Sequence, residues 1–191
     1  MLAWTIYLSF GGALLIAVVA KGRPQLARWL ALVTAMAGFF LAANAFCTQT
    51  GVAAIADAAW IPAMGIRYTL SADGISRVLV LLTGLASVSG VLFSWNIDRR
   101  ANEFFAFYLA LIGGVYGVFL SADLFLFFVF YEIAIVPKYF LIAIWGSTRR
   151  EYGAMKLALY SFAGSAMVLV GLLAAYAVSG GHTLNLTALQ Q

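Results

Sequence analysis

The sequence predicts an all-α membrane protein with about six spanning helices, and three observations predict it. The first is composition: of 191 residues, 64% are hydrophobic and only 9% charged, with mean hydropathy +1.00. A soluble domain carries about 25% charged and 45–50% apolar residues, so this chain has more apolar surface than one small core can hide. The second is that the apolar residues fall in runs of about 20, the length that crosses a bilayer as a helix. The third is that most lysines and arginines cluster between those runs.

The first run, roughly 2–20, ends at "KGRPQ". It lacks a basic segment ahead of its apolar core and reads as a retained helix, not a cleaved signal peptide. The second run covers roughly 28–47, the third 74–95, the fourth 104–120, the fifth 122–145 and the sixth 153–178. Between the second and third lies the longest non-spanning piece, 48–73. Its "WIPAMGIRYTL" sets aromatic and β-branched residues around a proline and a glycine, which predicts a short strand or hairpin. Runs four and five are joined by little more than "SAD", so they are antiparallel neighbours, and Asp123 is placed to cap the fifth helix. Gly113 and Gly117 in the fourth, and Ser161 and Ser165 in the sixth, are small residues four apart that let helices approach closely in lipid. Two regions result: 1–103, with the first three helices and the loop 48–73, and 104–191, with the last three.

Charge orients the chain. Lys21, Arg23 and Arg28 lie in loop 1–2, Arg99 and Arg100 in loop 3–4, and Arg149 and Arg150 in loop 5–6. Arg67 lies on the opposite side, and Arg77 just inside helix 3. The excess of Lys and Arg marks the cytoplasmic side, so both termini are expected outside. The same topology accounts for the net charge of +4 and pI near 9.4, which removes the case for a nucleic-acid partner. The single cysteine, Cys47, excludes an internal disulfide and reads as an apolar filler. The single histidine, His182, reads as a solvated loop residue, so no metal set is predicted. No nucleophile–base motif, nucleotide fingerprint or haem motif is present, and redox chemistry is not expected of this chain alone.

One residue breaks the apolar pattern. Of the seven carboxylic acids, six fall in loops or at helix ends, and Glu132 alone falls near mid-helix. With the fifth helix starting near Leu124, Glu132 lies roughly 12–15 Å deep, near the midplane of a core about 30 Å thick. An ionised carboxylate there costs about 2.5 kcal/mol or more. The site lowers that cost by protonating, since burial raises a carboxyl pKa, or by acquiring a cation or water. A group balanced between the two is a proton carrier; the alternative is a permanently neutral glutamate bonding two helices. Pro137 strengthens the first reading, because it deprives the carbonyl of Ile133 of its donor, leaving a kink and a polar spot beside Glu132. Lys138, six residues on, points about 120° away from Glu132 and either snorkels or joins a polar route. Lys156 near the start of the sixth helix comes to a similar depth and is a candidate for the same route from the cytoplasm.

Across Glu132–Tyr139 ("E-x-x-x-x-P-x-Y"), "IWG" at 144–146 and Arg149–Lys156 ("RR-x-Y-x-A-x-K"), the chain resembles the antiporter-like membrane subunits of proton-pumping NADH:quinone oxidoreductase, respiratory complex I. The M-type subunit, or subunit 4, is the nearest match. "YTLSADGIS" resembles the family's entry to helix 3, and the resemblance covers about residues 58–178. It implies a fourteen-helix fold with two inverted five-helix repeats, each a proton half-channel, in which Glu132 matches a helix-5 glutamate coupled to a lysine on a broken helix 7. It implies partners in the other membrane-arm subunits, and NADH, FMN, iron–sulfur clusters and quinone held by those partners, with no cofactor in this chain. It implies a bacterial inner membrane. The sequence ends after helix 6, without the helix-7 lysine. It is therefore expected to be the N-terminal part of a longer subunit or one half of a split one. Three functions remain open: a proton-pumping subunit of the dehydrogenase, a subunit of a multisubunit Na⁺/H⁺ antiporter or energy-converting hydrogenase, and a structural fragment that transports nothing.

Overall fold

The computed structural model describes residues 2–48, 51, 53–62 and 66–178. In chain order these form α1 (Ala3–Val19), α2 (Pro24–Thr48), β1 (Ala53–Ile61), β2 (Ile66–Ala72), α3 (Gly74–Phe93), α4 (Ala101–Leu120), α5 (Leu124–Trp145) and α6 (Arg150–Val178). Among the described residues, five helices are long and apolar enough to cross a membrane. The remaining one, α1, is an apolar helix of 17 residues, the lower end of a spanning length.

Helix α2 starts earlier than the sequence reading. Pro24 suits a first helical position, where its missing N–H is not needed. Arg28 therefore lies inside the helix and not in the loop, with only 5% of its surface exposed. Its guanidinium donates to Asp98 Oδ1 at 2.5 Å and to the Ile97 carbonyl at 3.3 Å. The loop 94–100 thus holds the start of α2, and Trp145 Nε1 donates to the Arg99 carbonyl at 2.7 Å. The three basic connections therefore meet at one end of the bundle.

The hairpin forms the other end. Strands β1 and β2 are antiparallel, with Asp57 opposite Thr69 and Ala59 opposite Arg67. Arg67 forks onto Asp57 at 2.8 and 2.9 Å and holds its carboxyl below the ordinary value. The Ala122 N–H donates to the Thr69 carbonyl at 2.9 Å, pinning β2 to the α4–α5 connection. Tyr68 shares a hydroxyl hydrogen bond of 2.9 Å with Tyr7 of α1. Burial, then that bond, raises the Tyr68 phenol above its usual value. Ile61 and Ile66 pack with Phe125, Phe128, Leu172 and Tyr176, so the hairpin also covers the ends of α5 and α6.

Small residues set the packing between. In α2, Ala27, Ala31, Ala35, Gly38, Ala42 and Ala45 are buried, a stripe at three- and four-residue spacing on one face. Helix α4 is the central element, packed against α1, α2, α3 and α5. A Cβ on Gly113 would lie 3.1 Å from the Phe10 ring of α1, and one on Gly114 would lie 2.9 Å from Ala134 Cβ of α5. A Cβ on Gly117 would overlap the Phe130 ring. Gly113 and Gly117, read as packing from the sequence, are packing, but Gly113 serves α1 whereas Gly117 serves α5.

Candidate functional site

Helix α5 begins at a buried cap. Asp123 is fully buried, and its Oδ1 accepts from the N–H groups of Phe125 and Leu126 at 2.9 and 3.2 Å. That fixes where the helix starts and hence where its ninth residue, Glu132, sits in depth. The helix runs unbroken past Pro137, which is buried within it.

Helix α6 returns beside α5 after the turn at Gly146, whose N–H bonds the Ile142 carbonyl at 2.9 Å. Its buried side is narrow: among the described residues, Ala154, Ser165 and Leu172 are buried, and their spacing places them within about 20° of one line along the helix. Glu132 lies about 20 Å from the basic end of α5, and Ser165 about 22 Å from the start of α6. The two meet between α5 and α6, and the Ser165 hydroxyl donates to Glu132 Oε1. Glu132 is half-buried and Ser165 is 5% exposed.

The other side of Glu132 faces a cleft of about 360 Å³ between α5 and α6, lined by Ile135, Val136, Tyr139, Met155, Leu159 and Phe162 among others. A second cleft of about 630 Å³ shares Tyr139, Met155 and Leu159 with it and adds Glu151, Tyr152 and Lys156. The shared residues make one groove from mid-helix to the basic end. Lys156 stands in its lower part, with Nζ 4.7 Å from the centroid of the Tyr152 ring, a cation–π contact. Lys138 is exposed and lines neither cleft, as its 120° rotation from Glu132 predicts. Among the described residues no lysine or arginine pairs with Glu132, and no group of three histidine, cysteine, aspartate or glutamate side chains could hold a metal. Cys47 is exposed at the end of α2, and His182 lies outside the described residues.

Thus Glu132 and Lys156 share a groove, with Glu151 at the same mouth, while Lys138 stands apart. Sequence reasoning gave Ser165 only a packing role and Tyr139 only a place in the resembling motif. The signal for Ser165 was present: counted from the turn at 146–149, it and Glu132 come to nearly equal depth. Glu132 is thus a half-buried carboxyl with one hydroxyl donor and one side open to the groove.

The family model described as NADH:quinone oxidoreductase/Mrp antiporter, transmembrane, matches residues 121–191. The chain is 37% identical over 184 residues to NAD(P)H-quinone oxidoreductase chain 4 of a Picosynechococcus species, an alignment that covers 93% of this chain and 34% of that one. It is 34% identical over 188 residues to NADH-quinone oxidoreductase subunit M of Rhodobacter capsulatus, covering 94% and 36%. Among solved structures it superposes on a chain of respiratory complex I from Thermus thermophilus with a TM-score of 0.87 at 27% identity, covering 99% of this chain and 38% of that chain. The chain spans about a third of the length of the curated relatives it matches.

Proposed function

This chain belongs to the antiporter-like membrane subunits of the NADH:quinone oxidoreductase/Mrp family, and from that premise we propose that it works in proton translocation coupled to quinone reduction, with Glu132 as the proton carrier. The observation that carries the reading is the position of Glu132: the only mid-span carboxyl among the described residues, open on one side to a groove that leads to the basic end of the bundle. Residues 104–191 then open the first proton-translocating repeat, and 1–103 form the scaffold beside it.

The physics of the site fits the role. Neutral Glu132 meets no large desolvation cost, whereas the ionised form costs about 2.5–3.5 kcal/mol at the midplane. A cation brought close shifts the balance towards release, and its withdrawal shifts it back. Moving one charge against 100 mV takes about 2.3 kcal/mol, the same order as the cost of ionising Glu132, so modest rearrangements of charge drive the step. Lys156 lies in the groove to pass protons towards Glu132. The cation that discharges Glu132 comes from a further helix, the position the family resemblance gives to a lysine on a broken helix 7. Lys138 plays a lesser part.

The complex, not this chain, is the enzyme: NADH, FMN, iron–sulfur clusters and quinone belong to partner subunits, with other membrane-arm subunits and lipid around this chain. The basic end faces the cytoplasm of a bacterial cell and the hairpin faces outward. The family description also spans Mrp antiporters, and sodium dependence of the transport separates that reading from this one.

The test is Glu132→Gln in the assembled complex, with protons moved per electron measured in sealed vesicles. Loss of the share of translocation due to this subunit, with the complex still assembled, supports the reading. An unchanged ratio overturns it.

A further inference from the structure

We propose that the groove between α1 and α2 binds an anionic phospholipid, whose headgroup rests on Lys21 and Arg23 and whose acyl chain lies over Gly11 and Gly12. The proposal is independent of the role given to Glu132.

The groove is a cleft of about 400 Å³ whose walls include Gly11, Gly12 and Leu15 of α1 and Leu30, Val33 and Thr34 of α2. Its floor is low because two successive residues of α1 carry no side chain there. A Cβ on Gly12 would lie 2.6 Å from Thr34 Cγ2, so α2 fills the space behind that glycine. A Cβ on Gly11 would meet nothing within 4 Å, so the groove is open in front of it. Leu15 and Val33 at the rim are exposed. From the end of α1 at Val19 up to Gly11 is about 12 Å, within the depth of one leaflet, about 15 Å. An acyl chain that enters beside the α1–α2 turn therefore reaches the glycines.

The turn supplies the charge. It is closed by the Arg23 N–H on the Ala20 carbonyl at 2.9 Å, with Gly22 at φ +73°, a left-handed conformation that glycine adopts without strain. The turn joins the two helices that wall the groove and leaves Lys21 and Arg23 exposed on either side of Gly22. No nearby carboxyl in the sequence balances them, since the first acidic residue of the chain is Asp57. Among the described residues neither Lys21 nor Arg23 is in an ion pair. The other basic residues of this end differ. Arg28 holds Asp98 and Arg100 holds Glu103. Arg150 donates to the Ile144 carbonyl at 3.1 Å, and Lys156 stands over the Tyr152 ring. Arg99 and Arg149 lie within two residues of Asp98 and Glu151. Two unbalanced cations at the mouth of an apolar groove complement a molecule with an anionic head and an apolar tail, and basic pockets between spanning helices recognise anionic lipid headgroups.

Aromatic residues mark this face as one that meets lipid. Trp4 and Tyr7 line the groove towards its hairpin end. Trp29, next to Leu30 at the basic end, is exposed, with its ring edge-on to Trp95. Exposed tryptophan and tyrosine at both ends of an apolar face follow the two membrane–water interfaces. A helix from another subunit would cover the apolar walls and leave the two cations unanswered.

The test is photolabelling of the assembled complex in phosphatidylcholine vesicles, read by peptide mass spectrometry. The probes are phosphatidylglycerol and phosphatidylcholine, each carrying the same diazirine on its acyl chain. A basic residue near a membrane surface favours an anionic lipid by about fivefold. The phosphatidylglycerol probe is therefore expected to label Leu15, Leu30 and Val33 about fivefold or more above the phosphatidylcholine probe. Lys21→Gln combined with Arg23→Gln should bring that ratio close to one. Gly11→Leu, which raises the floor where a Cβ meets no neighbour, should lower labelling by both probes. A ratio near one in the native chain, or a ratio that survives the loss of both cations, overturns the proposal. Absence of label from all three residues with both probes also overturns it, in favour of another subunit's helix in the groove.

Discussion

The α1–α4 bundle and the α5–α6 pair are built on opposite terms. In the most apolar stretch of α4, 50% of residues are buried within the molecule; in that of α6, 11% are. The bundle is closed by small residues: the alanine stripe of α2 and the glycines of α4 bring backbones together, and its hydroxyls mostly bond back to their own helices. The pair meets along a narrow stripe, leaves a groove open, and carries the mid-span carboxyl, whose hydroxyl partner crosses between helices. The difference teaches which helices this chain covers with its own residues and which, the pair that carries Glu132, it leaves largely uncovered. Glu132 stands on α5, whose inner face is clamped by α4 and whose outer face is left open among the described residues.

Breaking one side should leave the other recognisable. The largest effect belongs to the seam between them. Gly114→Leu drives a side chain into Ala134 of α5, where even a Cβ would lie 2.9 Å from Ala134 Cβ and 3.1 Å from its backbone. Overpacking of this kind costs about 1–3 kcal/mol. The expected result is a lower thermal midpoint for the assembled complex with α5 displaced; an unchanged midpoint would mean that α4 is not the clamp described. Next comes the cap. Asp123→Ala removes the acceptor for two N–H groups at the start of α5 and should cost about 1 kcal/mol, whereas Asp123→Asn keeps the accepting oxygen and should cost less. Denaturation of the two variants side by side checks the order.

The smallest effect is at the hairpin. Arg67 holds the Asp57 carboxyl below its ordinary 3.8. The stability from that pair is therefore present above pH 3.8 and lost as pH falls through the lower folded value. Exchange protection of the hairpin amides, corrected for intrinsic rates, should drop in that acid range in the native chain and not in Arg67→Gln. Equal profiles would show that the pair does not hold the hairpin.

The helices were legible because lipid imposes length and apolarity residue by residue, and the hairpin because its turn and strand residues differ from both. Asp123 was legible as a cap because the connection before α5 is too short for anything else. Arg28 was not: a charged residue near a loop reads as loop. It pairs with Asp98, 70 residues away, and no local pattern reveals that pairing. Ser165 was half legible. Its depth could be counted from the turn, but nothing local says that its hydroxyl leaves its own helix for Glu132. Lys138 was legible in direction, since the helical rotation that points it away from Glu132 also takes it out of the groove.

The central claim is that Glu132 gains and loses a proton during turnover. The most direct measurement is infrared difference spectroscopy of the assembled complex as it turns over, native chain against Glu132→Gln. The account predicts a carboxyl band that changes during turnover in the native complex and is missing in the variant. A native spectrum with no carboxyl change assignable to Glu132 would contradict it and leave the glutamate a neutral hydrogen-bonding link between α5 and α6.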